Sequence, residues 1–192
     1  LSTTGVYGDR QGEWVNENTS PNPQQERSIR RFSCEKQWLE TNLPVQILRL
    51  PGIYGPGRSA FESLFSGTTK MIDKPGQIFS RIHVDDIAGS VLFLINLYSQ
   101  GKNPLVVNVA DNLPTNNLDV ITFAAEIAEK SLPLTIPFEI AKEEMSPMAL
   151  SFWQENRKVD NNLLCKKLGY SLIHPDYKSG LKHCFSNLKM NK

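Results

Sequence analysis

Short β-branched runs alternate along this chain with longer stretches whose apolar positions recur at helical spacing. The opening STTGVYG, residues 2–8, reads as a buried strand that ends in small hydroxyl residues and opens into a glycine loop. VQILRL (45–50) and LVVNVA (105–110) have the length and apolar character of buried strands, and QIFSRIHV (77–84) reads as extended. Between them, residues 26–40 carry Ile29, Phe32 and Leu39 at helical intervals with no Gly or Pro, which predicts a helix. Further helices are predicted at 61–65, closed by Gly67, and at 87–97, capped by Asp85 or Asp86. Two more follow at 118–130, capped by Asn117, and at 157–168, stopped by Gly169; a last one starts near Tyr177. Residues 9–25, 51–58 (PGIYGPGR), 111–117 and 132–147 hold the breakers and read as loops or irregular chain. Strands alternating with helices imply an α/β fold around a parallel sheet.

Bulk properties narrow the function classes. Lys and Arg total 21 against 20 Asp and Glu, a formal net charge of +1 over 192 residues. That balance gives no reason to expect a nucleic-acid or membrane-surface partner. No apolar run is long enough to span a bilayer as a helix. Cys34, Cys165 and Cys184 are odd in number, far apart and without metal-ligand spacing. The expectation is free thiols, a reducing cytoplasm and no metal site. The chain starts at Leu1, inside a strand, and contains no GxGxxG or GxxGxxG phosphate loop. It is therefore expected to be the C-terminal part of a larger protein.

In open parallel sheets, ligands gather where strands end at their carboxyl side. Thr3 and Thr4 stand there, able to donate to a carbonyl or alkoxide, although such hydroxyls also cap turns. Arg27, Arg31 and Glu35 follow one another at intervals of four and share a helix face. Their guanidiniums suit phosphate or carboxylate; alternatively they form a solvated face with a weak Arg31–Glu35 surface pair. Tyr7, Tyr54 and His83 are the acid/base candidates, and each has a packing reading beside it.

In one order, STTGVYG, a helix carrying Glu35, ILRLPGIYGPGR, RIHVDDIA and VVNVADN resemble the extended short-chain dehydrogenase/reductases, the NAD(P)-dependent epimerases and dehydratases of nucleotide sugars. The resemblance implies the C-terminal part of a doubly wound, Rossmann-type parallel sheet with a small substrate-binding lobe. Residues 1–56 and 83–112 would form the dinucleotide-binding part and 57–82 with 113–192 the lobe, the N-terminal half of the Rossmann domain being absent. The cofactor would be NAD or NADP and the substrate a small polar molecule or nucleotide sugar, with a homodimer possible by analogy.

The resemblance also assigns residues. Thr3 takes the catalytic hydroxyl position. Arg31, Pro51, Gly52 and Ile53 become cofactor contacts, and Arg27, Tyr54, Arg58, Arg81 and His83 substrate contacts. The catalytic Tyr and Lys of that family stand eight and four residues before its Glu, where this chain has Arg27 and Arg31. A guanidinium has no acceptor lone pair and a pKa above about 12, so it cannot replace the Tyr as acid/base. A non-catalytic dinucleotide-binding sensor or scaffold is the alternative.

Overall fold

The computed structural model describes residues 1–190. Strand β1 (Ser2–Thr3) breaks at once into a 3₁₀ turn, Thr4–Tyr7, because the Thr3 side chain accepts the Gly5 amide. Gly8 closes the turn at φ 71°, where a Cβ would sit 2.0 Å from the Asn22 carbonyl oxygen; only glycine fits. Then come β2 (Trp14–Val15), α1 (Glu26–Leu39), β3 (Ile47–Leu50) and β4 (Gly52–Tyr54). Helix α2 (Ala60–Ser66) opens on a Ser59/Glu62 capping box and ends at left-handed Gly67. Next are β5 (Met71–Asp73), β6 (Arg81–His83), α3 (Val84–Ser99), β7 (Val106–Asn108) and α4 (Asn117–Ala128). The chain continues through β8 (Thr135–Pro137), α5 (Phe138–Ala141), α6 (Pro147–Trp153), β9 (Lys158–Val159) and α7 (Tyr177–Met190).

A three-stranded parallel sheet, ordered β1-β3-β7, sets Thr3 beside Leu50 and Arg49 beside Asn108. The pairs β2-β9, β4-β6 and β5-β8 are also parallel. Side chains of β3 alternate between two covered faces. Leu48 and Leu50 join Leu94 and Leu97 of α3, with Val107 and Val109, in one core cluster. Arg49 points the other way, to α1, where Glu35 receives its Nε at 3.1 Å and Nη2 at 2.6 Å. Helices on both faces of a parallel sheet are the doubly wound arrangement. A second core joins α2, α4 and α7 through Phe61, Leu64, Ile121, Ala124 and Leu181.

Several local expectations change. Glu35 is buried and also accepts the Ser2 hydroxyl, so it bridges helix to sheet and is not the surface partner of Arg31. The cap of α3 is the His83 ring, which accepts the Asp85 amide; buried Asp86 instead receives the Ile173 and His174 amides. Asn116, not Asn117, caps α4. Residues 157–168 are not one helix: β9 pairs with β2, and a π-helical turn, Leu163–Lys167, follows. The stretch 132–147 supplies β8 and α5. In both cases pairing with a distant strand overrides local preference.

Candidate functional site

At the carboxyl ends of β1 and β3 lies a cleft of about 420 Å³. Thr3, Thr4 and Gly5 line one side, with Ser28 from the first turn of α1. Pro51, Gly52 and Ile53 line the next, where the chain leaves β3 and runs into β4. Ile78, Phe79, Phe152 and Trp153 supply apolar and aromatic surface opposite. Thr3 Oγ1 accepts the Gly5 amide at 3.1 Å, which leaves its own O–H free to donate into the cleft.

Four guanidiniums from four separate segments meet at this rim: Arg27, Arg58, Arg81 and Arg157. Arg27 lies over the Phe152 ring, 3.9 Å from its centroid. Arg81 is held by the carbonyls of Phe79 and Thr115, at 2.9 and 3.0 Å, and burial pushes it down to about 10, still charged at neutral pH. Arg157 Nη1 donates to Gly8 O at 2.9 Å and to Glu155 Oε2 at 2.6 Å. Its Nε and the Glu155 Oε1 are buried with no protein partner. Glu155 balances Arg157, and the guanidiniums of Arg27, Arg58 and Arg81 suit the cleft to an anion, above all one with phosphate or carboxylate oxygens.

Sequence reasoning placed Thr3, Arg27, Pro51, Gly52, Ile53, Arg58 and Arg81 at a site, and the fold brings all seven to this one cleft. Tyr54 lines an adjoining hollow of about 500 Å³ that shares Ile53, Arg58, Arg81 and Asn117 with the first. Burial drives its phenol far above the ordinary range, so it does not titrate near neutral pH. Arg31 and His83 do not join. Arg31 Nη1 reaches the Leu1 carbonyl at 3.4 Å, beside a separate depression with Cys34 and Trp38. Its helix runs back along β1, so each turn carries it about 5.4 Å from the strand's carboxyl end. The His83 ring is fully buried, packed on His174 and His183. Tyr7 is locked as well, donating to Asn108 Oδ1 at 2.8 Å beneath the Arg49 guanidinium.

Glu155, Arg157, Phe152 and Trp153 were not anticipated. Arg157 leads directly into β9, with Glu155 two residues before it. The helical reading of residues 157–168 hid that place of Arg157.

No family model matches the chain. Protein YeeZ of Escherichia coli K12 is 28% identical over 179 residues, covering 91% of this chain and 57% of that protein. A functionally unknown conserved protein from Silicibacter pomeroyi DSS is 42% identical with a TM-score of 0.88, over 97% of this chain and 65% of that one. A protein from Methylobacillus flagellatus assigned to the NAD-dependent epimerase/dehydratases is 28% identical with a TM-score of 0.75, over 98% and 63%. The chain thus spans between about half and two-thirds of these relatives. At lower identity the backbone also matches UDP-glucuronic acid 4-epimerase from Bacillus cereus with NAD (20%, TM-score 0.71, 98% of this chain and 58% of that one). Human epimerase family protein SDR39U1 with NADPH matches likewise (16%, TM-score 0.80, 97% and 64%). On this architecture and these matches, the chain has the Rossmann-type fold of the extended short-chain dehydrogenase/reductases, the scaffold of NAD-dependent epimerases and dehydratases.

Proposed function

We propose that this chain forms the substrate side of an NAD(P)-dependent epimerase- or dehydratase-like oxidoreductase acting on a small anionic molecule, a nucleotide sugar in the first instance. The observation that carries the reading is the meeting of Thr3 and the Pro51–Ile53 backbone with four guanidiniums at the carboxyl ends of parallel strands. The cleft volume falls within the usual range for small-molecule sites. Thr3, Pro51, Gly52 and Ile53 would hold the nicotinamide end of the cofactor, which supplies hydride chemistry when bound. Thr3 would donate a hydrogen bond from its hydroxyl to the reacting oxygen of the substrate and polarise it, with the acid/base unassigned. Arg27, Arg58, Arg81 and Arg157 would bind the diphosphate or carboxylate. In this division residues 1–56 and 83–112 serve the dinucleotide and 57–82 with 113–192 the substrate, with Arg27 reaching the substrate from the first part. Three free thiols suit a reducing cytoplasm.

A second reading, a dinucleotide-binding sensor without turnover, is favoured by one observation. Among the described residues the cleft lining contains no Tyr, Lys or His, and Arg27 stands where the resemblance calls for the catalytic Tyr. Fluorescence titration of the full-length protein with NADH and NADPH, followed by turnover assays with nucleotide sugars, separates the two. The enzyme reading expects turnover that Thr3→Val abolishes while dinucleotide affinity stays within about fivefold, since one hydroxyl contact is worth about 1 kcal/mol. Tight binding without turnover on any nucleotide sugar supports the sensor. Failure to bind either dinucleotide sinks both.

A further inference from the structure

We propose that His83, Asp85, His174 and His183 form a binding site for one divalent transition-metal ion of the zinc type, clamping the start of α3 to helix α7. The chain has three histidines, and all of them meet here. They come from three places: His83 from the end of β6, His174 from the loop before α7, and His183 from the second turn of α7. The backbone puts His174 in position through Asp86, whose carboxylate takes the Ile173 and His174 amides at 2.7 and 2.9 Å. This site is separate from the anion cleft and does not depend on the dinucleotide reading.

Geometry carries the argument. Asp85 Oδ2 lies 3.0 Å from His174 Nε2 and 3.5 Å from His183 Nδ1, and His183 Nδ1 lies 3.4 Å from His83 Nε2. Four ligands at zinc–nitrogen distances of about 2.0–2.1 Å stand about 3.3–3.4 Å apart along the edges of a tetrahedron. Those separations are close to that spacing, and the four residues each offer a ligand atom within 4.8 Å of the others. Three imidazoles with one carboxylate are a donor set suited to zinc or cobalt.

The hydrogen bonds around the rings point the same way. His83 Nδ1 accepts the Asp85 amide at 3.1 Å, so the neutral ring carries its proton on Nε2. Asn187 Nδ2 donates to the His183 carbonyl at 3.1 Å and meets His183 Nε2 at 2.9 Å, so neutral His183 carries its proton on Nδ1. Those two N–H groups face each other at 3.4 Å, donor against donor. A cation bound there takes both lone pairs: the His183 proton moves to Nε2, where the Asn187 amide, turned over, accepts it, and the His83 proton moves to Nδ1, which gives up its bond from the Asp85 amide. Asp85 and His183 keep 41% and 37% of their side-chain surface exposed, which gives an ion its way in.

The test uses tag-free protein stripped with chelator and titrated with ZnCl₂ by calorimetry and with CoCl₂ by visible absorption. One zinc per chain with Kd below about 1 µM is expected, and the intense visible bands of tetrahedral cobalt. At metal about a hundredfold above Kd, the unfolding midpoint should rise by about 5–10 °C. His183→Gln and His174→Gln should each weaken zinc binding at least about 100-fold, more than loss of an outer-shell partner does. Because His183 is partly exposed, the metal-free midpoint of His183→Gln should stay within a few degrees of the parent, so a lost affinity cannot be laid to misfolding. Absence of stoichiometric binding at about 10 µM zinc, or affinity unchanged in His183→Gln, overturns the proposal.

Discussion

Removing the Glu35 carboxylate would strand a guanidinium inside the protein. The Arg49 and Glu35 side chains are 5% and 3% exposed, joined by two hydrogen bonds at 3.1 and 2.6 Å. Glu35→Ala takes away both, together with the acceptor of the Ser2 hydroxyl. Breaking one partner out of a buried pair costs about 3–5 kcal/mol, because the remaining charge stays desolvated. The Tyr7 ring 4.8 Å from the guanidinium offsets only a small part of that. At about 2–4 °C per kcal/mol for a chain of this size, the unfolding midpoint should fall by about 6–20 °C. Urea unfolding checks the free energy and calorimetry the midpoint. The double variant Glu35→Leu/Arg49→Met should regain at least half of the loss, since apolar groups of similar volume carry no unpaired charge. If Glu35→Ala costs under about 1 kcal/mol, the reasoning fails, and Glu35 would behave like the surface partner of Arg31, a pair worth about 0.3–0.5 kcal/mol. Arg31→Ala, correspondingly, should cost no more than about 0.5 kcal/mol.

Asp111 makes stability depend on pH in an unusual direction. Burial, with Asp176 and Asp86 nearby, raises its carboxyl to about 7, against an ordinary value of 3.8. The folded state therefore holds a proton that the unfolded chain releases, so its contribution is full below about pH 4 and is lost as pH rises through about 7. Asp111→Asn should flatten that slope in urea unfolding at pH 5 and pH 8; an unchanged slope would refute the assignment. Gly180 presses on Tyr54, and an added Cβ would lie 2.1 Å from the phenol oxygen. Gly180→Ala should cost about 1–3 kcal/mol, and Tyr54→Phe in the same chain should recover part of it. At the cleft, Arg27→Ala and Arg58→Ala should each weaken binding of a nucleotide-sugar diphosphate by about tenfold while leaving the unfolding midpoint within about 2 °C, because both side chains are exposed. Equal affinity in both variants would remove these two guanidiniums from the site.

Local pattern by itself determined the strands and helices whose signals are contained within a few residues. The apolar run at β3, the capping Ser59 with Gly67 around α2, and the start of α7 at Tyr177 all depend on neighbours in the chain. Thr3 and Gly52 were legible as cleft residues for a related reason: a strand's end is visible in sequence, and a parallel sheet gathers those ends on one side. The direction of α1 against β1 was not visible, and it sent Arg31 away from the cleft that Arg27 overlooks. Only the tertiary structure decided that Glu35 meets Arg49, that Glu155 and Arg157 reach the cleft, and that His83 stands against His183 across 100 residues. Such contacts depend on sheet register and on which face each helix buries, and no spacing within one segment encodes how separate segments pack.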